Sequence, residues 1–175
     1  MAEALAINGA DLADDAGPQV ERIRAANVCA VPPAMVPQVY GKLAPWIEAA
    51  LASSVQHELT VDEVYTGLTC ENPPFALLVM QDADTLDLVA AVVLGKGERN
   101  DGFRYVAVIC LGGREMERWL PDIVDRIKAI ARDVGADHVC LMGRPGWVRA
   151  LRKHGLEQRA AVMVWNVNGG EHGKH

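Results

Sequence analysis

The residue types best placed to do chemistry lie where an apolar run from Phe103, FRYVAVICL, gives way at Gly112-Gly113 to the amphipathic stretch REMERWLPDIVDRIKAIARDVG. This reads as a buried strand, a tight turn and a long helix. The first turn of such a helix offers N–H groups without intrahelical acceptors and the positive end of the helix dipole, the ingredients of phosphate capture. Here the glycines come early and acids follow them. Glu115 and Glu117 suit a helix N-terminus, but they occupy the field that would draw in a phosphate. The pattern therefore favours a binding or structural role over catalysis.

Other constellations are sparser. Glu58, Asp62 and Glu63 could furnish a general base, although carboxylates around Thr60 more commonly cap a helix. Arg144, Arg149, Arg152 and Lys153 surround Trp147, a combination suited to a protein-binding surface. The competing reading is that Trp147 and Leu151, four residues apart, form one buried face and the charges are solvated. Cys29, Cys70, Cys110 and Cys140 lie far apart, with no metal-ligand spacing; Cys110 and Cys140 fall in apolar runs and read as small core residues. The sequence contains no G-x-S-x-G, G-x-x-x-x-G-K-[ST], H-E-x-x-H or EF-hand loop. No residue is assigned a catalytic or metal-binding role.

The elements that must position these residues come from a chain of 175 residues, enough for one domain with a substantial core. A hydrophobic fraction of 50%, 23% charged residues and a net charge of -6 describe a globular protein and argue against a disordered or nucleic-acid-coating chain. No apolar run is long enough to cross a bilayer, and the acidic N-terminus MAEALAINGADLADD is unlike a secretory signal, so a cytoplasmic protein is expected. Residues 1–30 read as an N-terminal segment, a docking arm with a short helix around Gln19 to Ala26. Residues 31–168 form the domain, and 169–175 form a glycine-rich flexible tail.

Within the domain, AMVPQVYGKLAPWIEAALASS repeats apolar residues at helical spacing, with Pro45 predicting two short helices or one bent one. Thr60 heads a second helix. From Phe75 the period changes to three apolar runs, FALLVMQ, LDLVAAVVLGK and FRYVAVICL, separated by DADT and GERNDG turns. These predict an antiparallel meander whose near-continuous hydrophobicity requires helices on both faces. The long helix starts between Arg114 and Leu120, because Pro121 must lie near its beginning, carries a stripe from Met116 to Val134, and ends at Gly135. HVCLMG is a strand, PGWVRALRKHG a short helix and LEQRAAVMVWNV a last strand. The fold class is α/β (α+β): a mixed sheet with a meander followed by strand-helix-strand-helix-strand.

That order, with its terminal W-x-x-x-L-x-x-x-G-L at Trp147, Leu151, Gly155 and Leu156, resembles the GNAT acetyltransferase fold. The strings LGGREMERWL and GRPGWVRALRKHGLEQ are similar to small GNAT-like proteins of tailed bacteriophages, of the internal virion protein type. The family binds acetyl-CoA through Arg/Gln-x-x-Gly-x-Gly/Ala. On this chain Arg114 takes the first position, but Glu117 and Trp119 stand where the glycines belong. A shifted cradle on Gly112 and Gly113 would make Leu111, Gly112, Gly113 and Arg114 the cofactor-binding residues. The family's tyrosine general acid maps onto Leu151, with Ala150, Trp147 and Arg144 at the preceding motif positions; Tyr105, in the central strand, reads as packed.

The resemblance thus implies a catalytically degenerate GNAT-like protein with no cofactor. It would act through protein-protein contacts as a phage virion or assembly component, located in the host cytoplasm during assembly and in the virion. Its partners would be other virion or assembly proteins or further copies of itself, with no membrane or nucleic acid involved. Arg144, Trp147, Arg149, Arg152 and Lys153 are the partner-binding candidates. The alternative is a divergent acetyl-CoA-dependent N-acetyltransferase.

Overall fold

The computed structural model describes residues 27–53, 59–142 and 145–158. Five strands, β1 (Asn27–Val31), β2 (Phe75–Gln81), β3 (Leu88–Glu98), β4 (Arg104–Gly113) and β5 (His138–Leu141), form one sheet in sequence order. β1 to β4 are antiparallel and β5 runs parallel to β4, so the sheet is mixed as expected. The sheet begins earlier than the sequence reading, which placed residues 27–30 in the N-terminal segment. Asn27–Val31 is a short strand in which no residue is fully buried, and its apolar run, Val28 to Val31, is only four residues long and without alternation. The short helix expected around Gln19 to Ala26, the tail at 169–175 and residues 159–167 of the expected last strand lie outside the described residues.

Alternate residues of the strands feed two cores. Leu78, Met80, Val92, Val106 and Val108 face α3 (Met116–Asp133) and α4 (Pro145–Arg152). Leu77, Val79, Val93 and Cys110 face α1 (Val36–Ala52) and α2 (Val61–Thr69). Helices therefore cover both faces. Parity changes along β4 because the register with β3 slips between Val93 and Leu94, leaving Ile109 as an extra residue. Burial pushes the Cys110 thiol pKa up to about 12, whereas Cys140, expected in the core, is exposed on β5.

Of the two arrangements that Pro45 left open, α1 takes the single helix, 17 residues long with the proline inside it. Leu43 and Ile47, on either side of the proline, are fully buried, and that packing outweighs the lost N–H bond. Tyr40 donates its hydroxyl to the Val61 carbonyl at 2.7 Å and joins α1 to the start of α2; burial raises its pKa to about 12.

α3 begins at Met116, inside the expected window, and buries Trp119, Leu120, Ile123, Val124, Ile127 and Ala131. Its end is a Schellman arrangement: the Ala136 N–H reaches the Ala131 carbonyl at 2.8 Å and the Gly135 N–H reaches Arg132 at 3.0 Å, with Gly135 at φ 64°. Val134, placed by periodicity on the buried stripe, is 48% exposed because the helix has already ended at Asp133.

Candidate functional site

Two strand reversals bring the turn after β2 to the same edge of the sheet as the end of β4. The turn residues Asp82, Thr85 and Asp87 there share a cavity of about 230 Å³ with Val89, Arg114, Glu115, Arg118 and Trp119. Three carboxylates face two guanidiniums. Asp82 Oδ1 accepts the N–H groups of Thr85 at 3.0 Å and Asp84 at 2.9 Å. These bonds, the Thr85 one foremost, hold its carboxyl below the usual range, with a smaller pull from the Arg118 charge. Asp87 Oδ2 lies 3.7 Å from Arg114 Nη2, and the Glu115 carboxylate pairs with Arg118 across one helical turn.

Gly112 and Gly113 are not the tight turn that their sequence suggests. Both are the last residues of β4, paired with Ala91 and Ala90. Their small size serves close approach: a Cβ on Gly112 would stand 2.7 Å from the Trp46 carbonyl oxygen of α1, and one on Gly113 would stand 2.4 Å from the Val89 oxygen. The reversal is made one step later. The Arg114 N–H extends the ladder to the Val89 carbonyl at 2.9 Å, Glu115 takes a left-handed conformation at φ 56°, and the Trp119 indole Nε1 donates to the Arg114 carbonyl at 2.7 Å.

Of the four residues proposed to hold a cofactor, Leu111 is in the core and both glycines face protein backbone, so only Arg114 lines the cavity. The glycine-poor register is equally plain. Glu117 is the second residue of α3, and Trp119 is the fourth and is 2% exposed. A pyrophosphate cradle requires bare main chain at these positions. The residues present do not fit that group.

Leu151, which the resemblance sets against the family's general acid, is buried in the same core as α3. Trp147 and Ala150 pack half-buried on the same core, while Arg149, Arg152 and Lys153 are exposed. The structure thus separates the tryptophan from the basic set, and Arg144 lies outside the described residues. Glu63 belongs to a helix cap at Thr60, Asp62 is beside it, and Glu58 lies outside the described residues. Tyr105 packs its ring over Gly97, where an added Cβ would meet it at 2.4 Å. Sequence reasoning missed Asp82, Thr85 and Asp87 as cavity residues. The available signal was meander parity, since two strand reversals place the ends of β2 and β4 together.

No family model and no curated protein matches the sequence. Solved structures do match in shape. Glucosamine-6-phosphate N-acetyltransferase from Arabidopsis thaliana superposes with a TM-score of 0.57 at 9% identity, covering 83% of this chain and 100% of its own. The fold is that of the GNAT acetyltransferases. An aminoglycoside acetyltransferase from an uncultured soil metagenomic sample, in complex with trehalose, gives 0.59 at 10% identity, covering 86% of this chain and 100% of that one. Ribosomal-protein-alanine N-acetyltransferase from Brucella melitensis biovar Abortus 2308 gives 0.52 at 14% identity, with 80% and 99% covered. Likeness at these identities carries the GNAT fold and not an activity.

Proposed function

We propose that this chain is a catalytically degenerate GNAT-fold protein that works through protein-protein contacts as a virion-associated or assembly component of a tailed bacteriophage. The observation that carries the loss of chemistry is the use of the glycines. Gly112 and Gly113 make room for the Trp46 and Val89 carbonyls of the protein itself, and Trp119 fills a position that a cofactor would need bare. Support for the phage setting comes from the strings LGGREMERWL and GRPGWVRALRKHGLEQ. Arg149, Arg152 and Lys153 on and after α4 are the exposed residues offered to a partner, either another assembly protein or a further copy. The protein would act in the host cytoplasm and in the particle.

The second reading is a divergent acetyl-CoA-dependent N-acetyltransferase with Leu111, Gly112, Gly113 and Arg114 at its cofactor site. What favours it is the end-to-end likeness to named acetyltransferases and the Arg114 guanidinium in the cavity. Calorimetric titration of the full chain with acetyl-CoA separates the two. The first reading expects no binding heat; tight stoichiometric binding would overturn it.

A further inference from the structure

We propose that the cavity beside Arg114 is an anion site kept filled by the chain's own carboxylates. Asp87, on the turn between β2 and β3, and Glu115, ahead of α3, occupy the two guanidiniums that would otherwise take a phosphorylated ligand. The proposal rests on the reading of this protein as one that does not take acetyl-CoA, and gives that reading a second physical cause beyond the missing glycines.

Each pairing is a single contact between one guanidinium nitrogen and one carboxylate oxygen. Arg114 Nη2 meets Asp87 Oδ2 at 3.7 Å, and Arg118 Nη1 meets Glu115 Oε2. A guanidinium donates to carboxylate and phosphate oxygens alike, so each acid competes with a phosphate for its arginine. The two acids reach the arginines from different elements, and Asp82, held ionised by the Thr85 and Asp84 N–H groups, adds a third negative charge to the wall. All four paired side chains are roughly half exposed, between 47% and 66%, so each pair alone is weak. Their advantage is that they are tethered. A carboxylate on the same chain competes at an effective concentration of roughly millimolar or more, which a dilute anion must exceed while facing net negative charge.

The test replaces both acids and leaves the arginines. The variant is Asp87→Asn with Glu115→Asn, asparagine being chosen at position 115 because it tolerates the left-handed backbone there. The probe is inorganic pyrophosphate, titrated calorimetrically at low ionic strength, where exposed charges are least screened. The double variant is expected to bind about tenfold more tightly than the wild type, in line with two charge-assisted pairs becoming available. A charge-matched control, Asp84→Asn with Glu117→Gln, removes two nearby acids that are not paired with Arg114 or Arg118, and is expected to gain about twofold at most from the weaker field.

Equal gain in the control would overturn the proposal in favour of net charge alone, and no gain in a folded double variant would overturn it outright. If thermal unfolding shows the double variant to be damaged, Asp87→Asn alone carries the test, with a gain of about threefold expected and none overturning the proposal. Acetyl-CoA binding by the wild type would sink the functional reading whatever the variants do. Failure of the variants to gain pyrophosphate sinks only the filled-site proposal.

Discussion

At the start of α2, Thr60 Oγ1 accepts the Glu63 N–H at 3.2 Å and the Glu63 carboxylate accepts the Thr60 N–H at 2.7 Å, whereas at the start of α3 no side chain caps the helix and Glu115 stands in left-handed backbone. The first start is made by four consecutive residues. The second leans on distant ones, the Trp46 and Val89 carbonyls against Gly112 and Gly113, together with one nearby contact, the Trp119 indole on the Arg114 carbonyl five residues back. A locally capped start takes its N–H partners from its own four residues, and here the rest of the fold adds the Tyr40 hydroxyl on the Val61 carbonyl. One held by tertiary contacts ties its geometry to everything packed around it, and in this molecule the cavity lies beside that second kind.

The sharpest way to break the contrast is to crowd the tertiary start. In Gly113→Ala the new methyl would lie 2.4 Å from the Val89 oxygen and 2.7 Å from the Ala90 Cα, both main chain and unable to swing aside. A loss of about 2–3 kcal/mol is expected from such overpacking, read from urea unfolding of the full chain. A loss near zero would mean that β3 and β4 separate at this end in solution, and the glycines would then be free to serve a ligand.

The same contrast explains what the sequence could and could not reveal. Thr60 and Glu63 are legible because a capping box is a four-residue pattern, and the meander is legible because its period differs from that of the helices. The role of Gly112 and Gly113 is not, because adjacent glycines look alike whether they turn the chain or admit a neighbouring carbonyl; only the partner strand and α1 decide. Pro45 left two short helices and one bent one both open for a related reason. Its local effect is to break a helix, and the burial of Leu43 and Ile47 against the sheet overrode it. Strand β1 escaped notice because a four-residue apolar run carries little signal by itself, and the main chain of β2 beside it is what makes it a strand. Asp87 and Arg114 are 27 positions apart in the sequence, and no short-range pattern joins them.

A smaller effect distinguishes the two helix starts by sign. Thr60→Ala should cost about 1 kcal/mol, the ordinary value of a lost N-cap. Glu115→Gly should instead leave stability unchanged or raise it by about 0.5 kcal/mol. Relief of left-handed backbone, about 1–2 kcal/mol, is offset by glycine's entropy and by loss of the exposed pair with Arg118. Chemical denaturation of both variants measures this. A loss of the Thr60→Ala size at Glu115 would show that its side chain, and not the surrounding packing, holds α3 in place.

The finest probe is pH, because at the start of α2 the capping group is itself a carboxylate held by the Thr60 N–H. The Thr60 N–H, and then its hydroxyl, lower the Glu63 pKa from its ordinary 4.5 in the folded protein. Between the folded value and 4.5 the unfolded chain binds the proton more readily, so stability rises with pH there. The contribution is complete above 4.5 and is lost as pH falls through the folded value. Glu63→Gln keeps an acceptor for the Thr60 N–H but cannot titrate. Asp82, whose pKa is lowered by the Thr85 and Asp84 N–H groups, falls away on acidification in both proteins and cancels from the comparison. The wild type is therefore expected to lose stability more steeply than Glu63→Gln on going below 4.5, measured as the difference between their urea midpoints. Parallel curves would mean that the carboxylate is not engaged by the cap in solution, and that α2, like α3, takes its starting point from what is packed against it.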